Sequence, residues 1–170
     1  LNPNSAAAHY KFGAGLLAGN MLERGVQEIE KALEIDREFE NADILLVMHY
    51  LEQKQYRKAL ETAEVYRGKH PRSVVPYTLL GRIHLASGQD LEAEIAFSKA
   101  RELKLGEPSA THGLALLAIK NREYQRAKNY YMEVLDRHQN DLLTLLMLAN
   151  LDALQNNEQG MVDNIEQALS

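Results

Sequence analysis

Residues 74–107 read VVPYTLLGRIHLASGQDLEAEIAFSKARELKLGE, and this 34-residue stretch decides the fold because its spacing of small and bulky residues recurs on both sides. Cutting the chain in the same register gives units 6–39, 40–73, 74–107, 108–141 and 142–170, with no insertion or deletion between them. Unit position 8 holds Gly13, Val47, Gly81, Ala115 and Ala149, and position 20 holds Gly25, Ala59, Ala93, Ala127 and Met161. Position 27 holds Ala32, Tyr66, Ala100, Val134 and Ala168. Bulky residues lie between them: Phe12, Leu46, Leu80, Leu114 and Leu148 at position 7, then Ile29, Ala63, Phe97, Tyr131 and Ile165 at position 24. A small side chain at one crossing and a large one a turn away lets two helices approach closely and interlock.

Within each unit the apolar residues recur at three and four. They predict first helices over 6–18, 40–53, 74–86, 108–120 and 142–154, and second helices over 22–35, 56–69, 90–102, 124–137 and 158–169. Turns fall at Gly19-Asn20, Gln53 to Gln55, Ser87-Gly88-Gln89, Asn121-Arg122 and Asn156-Asn157. Glycine and asparagine can end a helix there or adopt left-handed backbone. Between units, His70-Pro71, Val75-Pro76 and Glu107-Pro108 punctuate the chain, and proline suits a first helical turn because the amide hydrogen it lacks would go unsatisfied there.

The pattern resembles the tetratricopeptide repeat, a helix-turn-helix unit of the same period. Repeat three carries the likeness best, with Tyr77, Leu80, Gly81, Ala93, Phe97 and Ala100 at positions 4, 7, 8, 20, 24 and 27, and repeat two adds Tyr50 and Pro71. The resemblance implies an all-α, right-handed α-solenoid of about five repeats, a single array over 1–170. Repeat two exchanges volumes, with Ala63 where a large residue is usual and Tyr66 where a small one is, so the volume moves between neighbouring turns. Repeat five places Gly160 and Met161 where alanine is expected.

The formal charge is −5 and the pI about 5.7, which argues against general attraction to nucleic acid or anionic membrane. By repeat the balances are −2, +1, −1, +1 and −4, so the last repeat is the acidic end, with Asp152, Glu158, Asp163 and Glu166 and no lysine or arginine. That end reads as a solvated face or as a dock for a basic partner. There is no cysteine, which excludes disulfides and thiolate chemistry and leaves the compartment open. No signal-peptide pattern or apolar run of transmembrane length is present. The opening Asn2-Pro3-Asn4 matches the tail of a preceding repeat and the chain stops at position 29 of repeat five, so an excised piece of a longer array is expected.

No pair of the histidines His9, His49, His70, His84, His112 and His138 has the metal-hydrolase spacing on a helix. His9 and His84 occupy core-facing positions 4 and 11 and are expected to pack. His70 and His138 share loop position 31 and are expected to be solvated, as are the pairs Glu28/Glu30 and Glu92/Glu94. The glycines of 13–19 lie inside a helix with no preceding strand or following lysine, so packing and a turn explain them better than a phosphate loop. No nucleophile–base constellation is visible, and neither a cofactor nor enzymatic activity is expected.

Binding is the stronger reading. Family geometry implies that positions 2, 5, 9 and 12 of the first helices face a concave groove, a stripe distinct from the core stripe. It reads Ala7, Tyr10, Ala14 and Leu17; Asn41, Ile44, Met48 and Leu51; Val75, Thr78, Arg82 and Leu85; Ser109, His112, Leu116 and Ile119; then Leu143, Leu146, Asn150 and Ala153. Arg82 is the one charged residue among these twenty in a chain that is 25% charged. One interpretation is an apolar groove for an amphipathic helix or extended peptide, with Met48 adaptable and Tyr10, Arg82, His112 and Asn150 as polar anchors. The other is that curvature packs the first helices together and buries the stripe. Relatives that clamp a C-terminal carboxylate use Lys, Asn, Asn, Lys and Arg at the positions where this chain has Tyr10, Ala14, Leu45, Val75 and Leu79, so that mode is not expected.

Helix 142–154 is apolar nearly all round and needs a neighbour beyond its own repeat, which leads us to expect self-association through open ends. The runs 108–115, 127–135 and 145–149 resemble the tetratricopeptide lipoproteins of bacterial exosortase and exopolysaccharide systems, which implies an envelope scaffold on the periplasmic side acting in polymer export or protein sorting. The sequence thus points to a noncatalytic protein- or peptide-binding scaffold. A rigid spacer or oligomerisation element, or the regulatory part of an enzyme, are the alternatives.

Overall fold

A computed structural model describes residues 5–169; the Asn2-Pro3-Asn4 motif lies outside them. These residues form ten helices: α1 Ala6–Ala18, α2 Leu22–Ile35, α3 Glu40–Glu52, α4 Tyr56–Lys69, α5 Val74–Ala86, α6 Asp90–Leu103, α7 Pro108–Lys120, α8 Tyr124–Leu135, α9 Leu142–Leu154 and α10 Glu158–Leu169. Among the described residues there is no strand. The fold is an all-α solenoid of helical hairpins. Seven of the ten expected spans are reproduced; α3 ends at Glu52, α6 at Leu103 and α8 at Leu135. At the end of α8 the Arg137 amide bonds the Val134 carbonyl three residues back at 3.1 Å, so the chain tightens into a turn and leaves Arg137 and His138 outside the helix.

The chain divides after Pro71 into two compact units. In the first, α1 packs on α2, α2 on α3 and α3 on α4. In the second, each helix from α5 to α10 packs on the next, and α5 also lies against α7.

Each hairpin closes on the same turn. Unit position 15, occupied by Asn20, Lys54, Gly88, Arg122 and Asn156, has a left-handed backbone in all five repeats, with φ between 55° and 79°. The following amide reaches back to the carbonyl at position 11, as in Gln55 N–H to Tyr50 O at 2.8 Å and Glu123 N–H to Ala118 O at 2.8 Å. This is the Schellman arrangement, which satisfies carbonyls left open at a helix end. First helices begin on side-chain caps where the residue permits it: Ser5, Ser73, Glu107 and Asp141 each accept a backbone amide of the first turn.

The core is built by fitting bulk against its absence. Phe97 of α6 lies between two glycines, since a Cβ on Gly81 would fall 2.5 Å from its ring and a Cβ on Gly113 also 2.5 Å. A Cβ on Gly13 would meet Ile29 at 2.8 Å, and one on Gly25 would meet Leu17 at 2.6 Å. In repeat two the bulk has moved as expected: Ala63 and Tyr66 are both fully buried, and the Tyr66 ring meets His70 edge-on at 4.9 Å.

Candidate functional site

The structure divides the first-helix stripe by unit position. Position 2 is exposed in every repeat: Ala7, Asn41, Val75, Ser109 and Leu143. At position 9, Ala14 and Met48 are half-buried, whereas Arg82, Leu116 and Asn150 are exposed. Position 5 closes in the middle of the chain, with Tyr10 and Ile44 half-buried, Thr78 and His112 buried and Leu146 exposed. Position 12 is half-buried at Leu17, Leu51, Leu85 and Ile119 and exposed only at Ala153.

Three of the expected polar or aromatic contacts are structural instead. Tyr10 packs edge-on against Phe39, the residue that opens α3, with ring centres 5.3 Å apart. Thr78 donates its hydroxyl to the Val74 carbonyl at 3.1 Å. His112 belongs to a buried relay between α7 and the start of α9. Asp141 accepts both the amide and the hydroxyl of Thr144. The single hydroxyl hydrogen is thereby used, so Thr144 Oγ1 accepts from His112 Nε2–H at 2.7 Å. Burial lowers the His112 pKa and keeps the ring neutral. Burial also pushes the Asp141 carboxyl up, but the two hydrogen bonds from Thr144 outweigh it and hold the group below the ordinary carboxylate range. Because Thr144 has no exposed surface, this histidine–hydroxyl–carboxylate chain fastens repeats four and five rather than meeting a substrate.

The remaining histidines and acids also need correction. His9 packs as expected, but through Glu28, whose carboxylate lies 2.6 Å from His9 Nδ1 and 2.7 Å from Lys31 Nζ. Glu28 is therefore not a solvated face. Glu94 is half-buried and paired with Arg126, which also holds Glu123 at 2.8 Å. His70 is not a solvated loop residue: it packs on Tyr66 and sits 3.3 Å from Glu40. His84 contacts Gln89 at 2.6 Å, and His138 is exposed as expected. Among the described residues, no three His, Asp or Glu side chains group as a metal site, and no helix is long and apolar enough to cross a membrane.

In unit two the open part of the stripe is apolar at Val75, Leu116, Leu143 and Leu146, with Ser109, Arg82 and Asn150 supplying polar groups. Leu116 is 44% exposed, Leu143 55% and Leu146 42%. In unit one the open part is smaller, formed by Ala7 and Asn41 with Ala14, Ile44 and Met48 half-covered.

Residues 109–141 match the family described as Tetratricopeptide repeat. The crystal structure of TTC0263, a tetratricopeptide protein of Thermus thermophilus, superposes with a TM-score of 0.77 at 16% identity, over 97% of this chain and 90% of that one. The chain has the fold of a tetratricopeptide-repeat array. Two further structures share the tetratricopeptide fold. MamA has a TM-score of 0.71 at 15% identity, covering 96% of this chain and 90% of its own. YrrB, described as a tetratricopeptide protein with an unusual peptide-binding site, has a TM-score of 0.62 at 18% identity, covering 99% of this chain and 87% of its own. A comparison with curated proteins gave no match. On the tetratricopeptide frame, the exposed apolar residues of α7 and α9 occupy the face the repeat pattern assigned to ligand. Leu17, Leu85 and Ile119 of position 12 belong instead to the core clusters around Leu46, Leu114 and Leu148.

Proposed function

We propose that this tetratricopeptide array is a protein-interaction scaffold that binds an extended peptide or amphipathic helix on the open first-helix face of unit two. The observation that carries the reading is the exposure of Leu116, Leu143 and Leu146, three large apolar side chains at stripe positions that a folded chain would otherwise cover. Arg82, Ser109 and Asn150, exposed at stripe positions of α5, α7 and α9, supply polar groups that would fix the register of a bound segment. That YrrB is described as having a peptide-binding site supports the same use of the fold. A periplasmic place in bacterial polymer export or protein sorting rests on the sequence runs 108–115, 127–135 and 145–149, and cell fractionation tests it.

The test is a peptide-display selection on the wild type, followed by calorimetric Kd values for wild type, Leu116→Glu/Leu146→Glu and the control Leu91→Glu/Ile95→Glu on α6. The control residues are large, apolar and exposed on a second helix. Loss of binding by about tenfold or more in the first variant alone, with circular dichroism unchanged, supports the groove. Equal behaviour of both variants places binding elsewhere, and a selection that enriches nothing favours the spacer reading.

A further inference from the structure

We propose that unit one carries a second binding site, a cleft between α2, the end of α3 and the start of α4 that takes an acidic side chain of a partner peptide. The cleft has a volume of about 430 Å³ and is lined by Leu22, Glu23, Val26, His49, Tyr50 and Lys58 among others. Its size matches small-ligand sites, which run to roughly 300–1,000 Å³.

The residue that points to it is His49. Unit position 10 is filled by Ile83, Leu117 and Leu151 in repeats three to five, all buried in the core, and by an exposed glycine, Gly15, in repeat one. Repeat two places a histidine there that is only 8% exposed. Its ring lies against Tyr50 with centres 5.7 Å apart and lines the cleft, and its nitrogens make no hydrogen bond among the described residues and are not closed off from solvent. The ring is covered while its unpaired nitrogens stay open to solvent, so His49 can exchange a hydrogen bond with a group outside the fold without disturbing the core.

Two further donors converge on it. Lys58 Nζ sits 5.4 Å above the Tyr50 ring and has no carboxylate in ion-pair range among the described residues. The Tyr50 hydroxyl likewise makes no hydrogen bond among them; burial, helped by the neighbouring Glu30, pushes its pKa up and keeps it a donor. An imidazole N–H, a phenol and an ammonium in one cleft favour an oxyanion. Leu22 and Val26 offer an apolar wall for a short methylene stem. A phosphate calls for more positive charge than a single lysine in a cleft that Glu23 also lines, and a cation would meet that lysine. A glutamate side chain, one charge on a two-carbon stem, fits both the wall and the charge.

The experiment follows the His49 ring signals by NMR during titration with a capped Ala-Ala-Glu-Ala-Ala peptide, its Gln counterpart and sodium butyrate, at fixed ionic strength. The glutamate peptide is expected to shift His49 saturably and leave His84 still, while the Gln peptide does not. Lys58→Met should raise Kd about five- to tenfold and Glu23→Gln should lower it about two- to threefold, opposite signs that a general structural effect would not produce. No saturable shift, an equal response to the Gln peptide, or both variants moving Kd the same way would overturn the site. Saturation by butyrate without the peptide would assign the cleft to a free small acid and overturn the peptide occupant.

Discussion

At the scale of single residues, this fold is decided by where a Cβ is missing. Gly81 and Gly15 are both interior helical glycines, yet a Cβ on Gly15 would meet nothing within 4 Å while one on Gly81 would strike Phe97. Gly15→Ala is expected to stabilise the protein by up to about 1 kcal/mol, the helix-propensity gain. Gly81→Ala gains the same propensity but overpacks the core, which costs about 1–3 kcal/mol, so a net loss is expected. Urea denaturation of both variants checks the opposite signs, and coupling of Gly81→Ala with Phe97→Leu would show that the ring is the cause. The left-handed turn makes a second residue-scale prediction. Lys54 and Arg122 hold φ of 55° and 61° with side chains that disfavour it. Replacing Lys54 by glycine relieves a strain of about 1–2 kcal/mol against a glycine entropy cost of about 0.5–1 kcal/mol, and a raised urea midpoint is expected.

At the scale of elements, the joint between α7 and α9 carries a pH dependence whose sign can be worked out. The folded pKa of His112 is lowered by burial, so the unfolded chain binds more protons as the pH falls below the histidine's free value of about 6.5. Stability from this group is complete above that pH and declines below it. Asp141, also lowered when folded, acts in the same direction further down the scale, its contribution being lost as pH falls through its folded pKa. The unfolding midpoint of wild type should therefore drop more between about pH 7 and pH 5 than that of His112→Gln, which removes the titrating ring; parallel curves would show that the relay does not titrate. The relay also marks what the sequence could and could not reveal about the site. The hairpins were legible because small and bulky positions recur in fixed register, and helix ends followed from turn residues at one unit position. Whether a stripe residue is open was not legible, since Thr78 and His112 differ from Leu146 at the same unit position only in what the neighbouring helices do above them. His49 could have been noticed as a polar residue where repeats three to five have Ile83, Leu117 and Leu151, but its cleft is formed with α2 and α4, and one helix's periodicity does not contain that.

At the scale of the whole molecule, stability in stacked repeats is a sum of unit and neighbour contributions, so a hairpin that buries less opens first. At unit position 24, Ile29, Ala63, Phe97 and Tyr131 are at most 1% exposed, whereas Ile165 of α10 is 37% exposed. No described residue of α10 is fully buried. Polar contacts help to hold it, because Asp152, a carboxylate only 1% exposed on α9, accepts from Asn164 at 2.8 Å and from Asn157 at 2.9 Å. This accounts for glycine at 160, where a Cβ would lie 2.3 Å from Asn157 Nδ2 and 2.9 Å from Asp152 Oδ2. The expected outcome in hydrogen exchange is a steep fall in protection from α8 to α10, with Asp152→Ala accelerating α10 and leaving α5 and α6 unchanged. Truncation separates the same two hairpins energetically: Tyr131→Ala should cost about 3–5 kcal/mol, as large aromatic deletions in a packed core do, and Ile165→Ala well under half of that. Protection of α10 equal to that of α8, or equal truncation costs, would mean that the polar tether at Asp152 makes the last hairpin as cooperative as the buried ones.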